Sequence, residues 1–194
     1  MKCFGASLLI LGTAGQSLAI TFGPTVTVDG NSYTVGGPAG ANGISVQQVG
    51  TTLAFALPNG VAVGTNKSML LEYSVFADPG FYLSSVSQNA GNGIASGSAN
   101  VGISTSFFGA TNETAPSINY PAGSTFPTFS YSFTSAPSQW SPVKTTIDLN
   151  GTGGIAKVST YNANYHQSPV PEPVSIVVLA SGLGAMLVRR KGAK

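Results

Sequence analysis

Charge is the first thing this sequence is short of. Charged residues make up 7% of the chain, against about a quarter in an ordinary soluble domain. Disorder driven by high net charge is therefore excluded, and a hydrophobic fraction of 42% supplies enough apolar side chain for a core. Arginine is absent between Ile20 and Ser168. That stretch holds three lysines (Lys67, Lys144, Lys157) against five acids (Asp29, Glu72, Asp78, Glu113, Asp148), a formal charge of −2. The net +2 of the whole chain comes from its ends, from Lys2, Arg189, Arg190, Lys191 and Lys194. Phosphate backbones are gripped by clustered Lys and Arg, so no nucleic acid is expected as a partner.

Cysteine and histidine are nearly missing too. The one cysteine, Cys3, sits in the first apolar run, so a chain cut behind that run has neither a disulfide nor a thiolate metal ligand. Stability must then come from packing and sheet hydrogen bonds, which a body of about 150 residues can supply. With His166 as the sole histidine, zinc and iron sites lose their usual ligands, and no metal or cofactor is expected. A Ser-His-Asp triad would need His166 as its base. That residue lies beside the C-terminal linker, no Gly-x-Ser-x-Gly elbow accompanies it, and a solvated edge position is expected instead.

The two ends carry addresses. Met1-Lys2 is followed by the apolar run Cys3–Gly12 and a small-residue segment ending Ser17-Leu18-Ala19. This pattern reads as a signal peptide cut by signal peptidase after Ala19. At the other end Pro171-Glu172-Pro173 precedes an uncharged apolar run, 174–188, closed by Arg189-Arg190-Lys191. As a helix that run is about 22 Å long, short of a hydrocarbon core of about 30 Å. Snorkelling of Arg189 and Arg190 and local thinning cover the difference, and the cations place the tail in the cytoplasm. The prolines stop the helix from growing outward and keep the motif extended, the form a protease can reach.

This order of tripeptide, span and basic terminus resembles the PEP-CTERM sorting signal. The resemblance implies processing by exosortase, a membrane-embedded cysteine transpeptidase, during export to the surface or exopolysaccharide matrix of a Gram-negative bacterium. It casts Pro171, Glu172 and Pro173 as recognition residues and Arg189, Arg190 and Lys191 as the anchor stop. The expected organisation is a signal peptide (1–19), a body (20–167), a linker with the motif (168–173), a transmembrane helix (174–188) and a basic tail (189–194).

The body shows no long helical period. Asp29-Gly30, Asn42-Gly43, Asn59-Gly60, Asn92-Gly93 and Asn150-Gly151 punctuate it as turns. Thr25–Val28 and Ser32–Val35 around Asp29-Gly30 predict a hairpin. Further strands are predicted at Ile44–Val49, Leu53–Leu57, Met69–Ala77, Phe81–Gln88, Ala99–Phe108, Thr128–Thr134, Val143–Leu149 and Ile155–Tyr165, with a long loop within Phe107–Gln139. The fold class expected is all-β, an antiparallel β-sandwich of jelly-roll or immunoglobulin-like type, with a barrel as the alternative this pattern does not separate from it, flanked by the two terminal helices. From Leu70 to Ser159 the ordering also resembles β-rich extracellular domains found ahead of this sorting signal. Those have no established activity, so the likeness implies a fold only.

Chemistry-bearing candidates are few. Glu72 and Asp78 are the pair to consider for glycoside hydrolysis, which needs two carboxylates about 5–10 Å apart. Glu72, however, alternates with Leu71 and Tyr73 as on a polar strand face, and Asp78-Pro79-Gly80 reads as a turn. Asp148-Leu149-Asn150-Gly151 has oxygens for calcium but not the spacing of an EF-hand, and a hairpin explains it as well. Gly151–Gly154 and Gly91-Asn92-Gly93 lack the lysine or helix start of a phosphate loop. Tyr120, Tyr131, Trp140, Tyr161 and Tyr165 are candidates for stacking on sugar rings, with core packing the default for each. Sequons at Asn66, Asn112 and Asn150 are expected by chance in a Ser/Thr-rich chain.

The primary expectation is a non-enzymatic structural or interaction protein of the cell surface, membrane-anchored before processing, with no catalytic residues. The alternative is an exopolysaccharide-binding module, and a secreted hydrolase is a third reading. Replacing Pro171-Glu172-Pro173 by alanines, or deleting Arg189–Lys191, is expected to abolish processing. Intact-mass analysis should find the uncut form in membrane or periplasmic fractions, and normal maturation of both variants would refute the sorting assignment.

Overall fold

A run such as Met69, Leu71, Tyr73 and Val75 set between Ser68, Glu72 and Ser74 suits a strand that buries one face and wets the other. The computed structural model describes residues 20–91, 93–108, 112–134 and 139–170 (Trp140 by its backbone alone). Within them the chain is all-β. The segments assigned to the signal peptide, Pro-Glu-Pro motif, span and basic tail lie outside the described residues. Among the described residues no helix is long and apolar enough to cross a membrane.

In chain order the strands are β1 (Thr21–Phe22), β2 (Thr25–Val28), β3 (Asn31–Thr34), β4 (Ser45–Val49), β5 (Thr52–Ala56), β6 (Val61–Val63), β7 (Asn66–Phe76) and β8 (Phe81–Gly91). There follow β9 (Ile94–Gly97), β10 (Asn100–Phe108), β11 (Asn112–Thr114), β12 (Ile118–Pro121), β13 (Phe129–Ser132), β14 (Trp140–Asn150), β15 (Gly154–Lys157) and β16 (Thr160–Pro169). The larger sheet runs β11-β10-β14-β7-β2-β3, with β1 also on β7 and β12 also on β10. The second runs β13-β8-β16-β5-β4, and a small third sheet is β6-β15-β9. The described pairings are antiparallel.

The predicted hairpin is present. Val28 pairs with Asn31, leaving Asp29 (φ 50°) and Gly30 (φ 78°) as a two-residue loop with both φ positive. This geometry matches strand twist and selects Asp-Gly. The predicted strand Ile155–Tyr165 is instead two strands in two sheets. Ala156 and Val158 point inward, then Tyr161, Ala163 and Tyr165 do, so the buried parity flips between Val158 and Tyr161. There the chain leaves the small sheet for the second, held by Val158 N–H to Gly60 O (2.7 Å) and Leu57 N–H to Ser159 O (2.7 Å). Gly60 must lack a side chain, because a Cβ would strike the Val158 carbonyl oxygen. The region Phe107–Gln139 contains, besides the predicted strand at Thr128–Thr134 (β13), two short strands where a loop was expected, β11 and β12. The last strand also runs past the expected body boundary: Ser168 and Pro169 pair with Tyr82 and Phe81.

The first two sheets face each other across one apolar core. Val26, Leu71, Val75, Ile103, Ile147 and Leu149 of the larger sheet oppose Val46, Leu53, Phe55, Leu83, Val86 and Ala163 of the second. Three tyrosines sit in that core. Tyr73 OH and Tyr165 OH meet at 2.9 Å, and Tyr161 OH stands 3.4 Å from Thr145 Oγ1. Thr145 shares a bond with Thr105 (3.1 Å), which donates to Gln88 Oε1 (3.1 Å). Gln88 Nε2 has no partner among the described residues. Such a network makes one sheet-to-sheet alignment better than its neighbours, since a slip strands buried hydroxyls at about 1–3 kcal/mol each. The long sides are tied by Gly36 N–H to Val46 O (2.8 Å) and by Tyr131 OH to Glu113 Oε2 (2.8 Å).

The small sheet is built on Ala62, Ala95 and Ala156, turned inward, with Val61, Val63, Ile94 and Ile155 exposed on its outer face. Both ends of the described chain lie at one pole. Thr21 pairs with Phe76, and Val170 N–H donates to Gly80 O (2.8 Å).

Burial raises the pKa of Tyr161 and pushes those of Tyr73 and Tyr165 well above the ordinary tyrosine value. In the unfolded chain these phenols ionise near pH 10. Above that pH the unfolded state therefore releases protons that the folded state keeps, and stability falls as pH rises. The urea midpoint should drop between about pH 9 and about pH 12, and less so in Tyr165→Phe, which has one buried phenol fewer. A flat profile would show that the phenols are not buried.

Candidate functional site

Core formation leaves the outward parity of β7, β14 and β10 without structural duty, and the register lines those residues up in rows. Asn66, Asn150 and Asn100 form one row across the three strands. The next rows are Ser68, Asp148 and Gly102, then Leu70, Thr146 and Ser104. Glu72, Lys144 and Ser106 follow, with Thr27 of β2 beside Glu72. From Asn66 to Phe76 the face is about 33 Å long at about 3.3 Å per residue.

Its far end, at the pole of both chain ends, is aromatic. Phe76 and Phe108 are 39% and 41% exposed although they lie in or end the two strands that flank β14. On β14 the corresponding positions are Pro142, half-buried opposite Ser74, and Trp140, opposite Phe76 in the register. Pairing of β14 with β10 stops at Val143, while Phe108 pairs with Asn112 of β11. A proline is tolerated there because one neighbouring ladder has ended. The divergence opens a depression of about 300 Å³ lined by Thr25, Thr27, Glu72, Phe108, Pro142 and Lys144. A second, of about 460 Å³, lies against Phe76, Ala77 and Gln139 and shares Ser74 with the first. Together they make a shallow trough across the aromatic end.

The polar groups of this face are mutually satisfied. Lys144 Nζ is 3.7 Å from Glu72 Oε1, Thr27 Oγ1 donates to Glu72 Oε2 (3.1 Å), and Ser68 Oγ donates to Asp148 Oδ1 (2.8 Å). An ion pair this exposed contributes about 0–1 kcal/mol to stability. Its effect is to hold two long side chains beside the trough.

The sequence candidates fall out as follows. Tyr161 and Tyr165 are wholly buried, and Tyr120 is buried against Phe126 (ring centroids 4.4 Å) with its OH on Pro127 O (3.0 Å). Tyr131 is half-buried, stacked on Phe107 at 6.0 Å, and its hydrogen bond to Glu113, followed by burial, raises its pKa. These four serve the core or an edge, because their inward parity gives them no open face. Of the five aromatic candidates only Trp140 belongs to the row at the aromatic end. Glu72 and Asp78 do not form a shared site: Glu72 is engaged as above, and Asp78 Oδ2 accepts from Gln167 Nε2 (3.0 Å). His166 is exposed opposite Ser85, where a bulge shifts the β16–β8 register.

Phe76, Phe108 and Pro142 were not among the sequence candidates. The signal was present as parity: Glu72, Ser74, Phe76 on one strand, Ser104, Ser106, Phe108 on the next, and Lys144, Pro142, Trp140 between them. Each polar row ends in an aromatic, but only the pairing shows that the three ends coincide.

The oxygens proposed for calcium are taken up locally. Besides Asp148, Asn150 Oδ1 accepts Thr152 N–H (3.1 Å), and Thr152 Oγ1 donates to Asn66 Oδ1 (3.0 Å). Among the described residues no group of three His, Cys, Asp or Glu side chains is placed to hold a metal. The glycines of Gly151–Gly154 close a turn through Gly154 N–H to Gly151 O (3.0 Å).

No protein-family model matches this chain, and no curated protein does. Solved structures do, at low identity. The carbohydrate-binding module TmCBM61, in complex with β-1,4-galactotriose, is 11% identical over 78% of this chain and 88% of its own, with a TM-score of 0.35. A family 11 carbohydrate-binding module from Clostridium thermocellum, bound to a β-1,3-1,4-mixed-linked tetrasaccharide, is 10% identical over 81% and 90%, with a TM-score of 0.29. The enzymatically active domain of tailspike protein 4 of bacteriophage CBA120 is 14% identical over 79% of this chain and 19% of that one, at 0.30. Likenesses this partial transfer neither a ligand nor a site.

Adding calcium to chelator-treated protein is expected to leave the melting temperature unchanged. A rise with calcium concentration would reveal a site through mass action.

Proposed function

We propose that this chain is an exported, non-catalytic module that binds polysaccharide through the outer face of its larger sheet. The observation that carries the reading is the coincidence of Phe76 and Phe108 at one end of an open face otherwise made mainly of hydroxyl, amide and charged side chains. Sugar rings present an apolar C–H face and a polar rim. An aromatic platform beside Thr25, Thr27, Ser74 and Ser106 answers both, and the two phenylalanines, two strands apart and two residues out of step along them, are about 12 Å from each other. That span suits contact with more than one ring of a chain. An open trough offers no means of excluding water, which suits retention of a polymer better than its cleavage.

Delivery follows from the terminal segments. Signal peptidase cutting after Ala19 and exosortase processing near Pro171-Glu172-Pro173 would bring the body to the cell surface or extracellular matrix, where the polymer is the cell's own exopolysaccharide.

Phe76→Ala and Phe108→Ala should each weaken retention on purified exopolysaccharide about fivefold, and the double variant more, with circular dichroism unchanged. Affinity electrophoresis reads this directly. Wild-type retention by the double variant, or none by the native protein, would end the proposal.

A further inference from the structure

The electrostatics of the same face select among polysaccharides, an inference that rests on the binding reading above. Three lysines belong to the body. Lys67 has inward parity at the start of β7 and donates to Asn59 O (2.6 Å), and Lys157 lies on the small sheet. Lys144 is thus the one cation among the described residues of this face. Its ammonium is held by Glu72 at 3.7 Å, with both side chains about half exposed (47% and 46%). Asp148 adds a second carboxylate four residues, or about 13 Å, further along β14. The strands of the face therefore carry one excess negative charge. Asp29 adds another beside them, its Oδ1 accepting Leu70 N–H (2.7 Å). At low ionic strength these carboxylates act within a screening length of a polymer laid along the strands.

We propose that Glu72 and Asp148 determine the ligand class of the face: it accepts neutral polysaccharide and turns away polymers of uronate or sulfated sugars. Glu72 does so twice over, by its own charge and by occupying Lys144. Apart from Leu70 and Pro142, the remaining side chains of the face are hydroxyls, amides and aromatic rings, all competent toward uncharged sugars.

The test compares wild type, Glu72→Gln, Asp148→Asn and the double variant on immobilised dextran and β-glucan (neutral) and on alginate and polygalacturonate (acidic). Salt is raised to about 0.5 M. Wild type should be retained by at least one neutral polymer, with little salt dependence, and by neither acidic one. Glu72→Gln and the double variant should gain retention on the acidic polymers, by about fivefold or more at low salt, and lose it at high salt. Salt-sensitive binding of wild type to an acidic polymer would overturn the inference while leaving the face as the binding site, provided Phe76→Ala and Phe108→Ala still weaken it. Neutral binding by wild type with no acidic gain in the double variant would also overturn it. Retention on none of the four polymers would overturn this inference, and absence of retention on purified exopolysaccharide as well would bring down the binding reading itself.

Discussion

One constraint organises the molecule: β7, β14 and β10 must each bury every second residue, because nothing else in the body is available to hold it together. The described residues contain no cysteine and few charges, so disulfides and ion-pair networks are not available. Apolar area removed from water, at about 25 cal/mol per Å², and ladder hydrogen bonds must carry the fold. Met69, Leu71, Tyr73 and Val75 therefore point one way with Val143, Ile147 and Leu149, and everything of the other parity is forced outward. The candidate binding face is the obligatory reverse of the core. Its rows come from the same register that aligns the buried side.

The buried tyrosines sharpen this constraint. An all-aliphatic sandwich core tolerates small slides of one sheet over the other. Here Tyr73 and Tyr165 must meet hydroxyl to hydroxyl, and Thr105 must reach Gln88 across the gap. These are directional contacts in a place where a lost partner is costly, so they fix the relative position of the sheets. With the sheets fixed, the departure of Phe108 from β14 and the trough beside Pro142 have a single geometry. Selectivity, in the reading developed above, then depends on two carboxylates carried by strands rather than by loops. Their spacing is as rigid as the sheet.

Much of the fold was legible in the residues. Asp29-Gly30 between two β-rich runs specifies its own hairpin, because only a turn with two positive φ values matches the twist of the flanking strands. The long strands were legible from period-two alternation. What could not be read were β1, β6, β9, β11 and β12. These are two to four residues long, too short for a period to show, and they exist because a neighbouring strand offers free backbone groups. The division of Ile155–Tyr165 was written as a parity flip between Val158 and Tyr161, but recognising it requires knowing that the two halves face different partners. The candidate site was less legible than the fold. Tyr161 and Tyr165, weighed as sugar platforms against a default of core packing, are core, whereas Phe76 and Phe108, not weighed at all, are exposed.

The amino-acid sequence by itself determined an all-β body without disulfides, a nearly uncharged interior stretch, the hairpin at Asp29-Gly30 and the two sets of terminal residues that read as addresses. Each of these is a local property: turn dihedrals, alternation and composition act over a few neighbouring residues. Tertiary structure alone decided which polar faces became one surface. Phe76, Phe108 and Trp140 are more than 30 positions apart along the chain and share an end only because β10, β14 and β7 pair in one register. Pairing is a long-range event, settled by the burial of the opposite face, and no short stretch of the chain contains it.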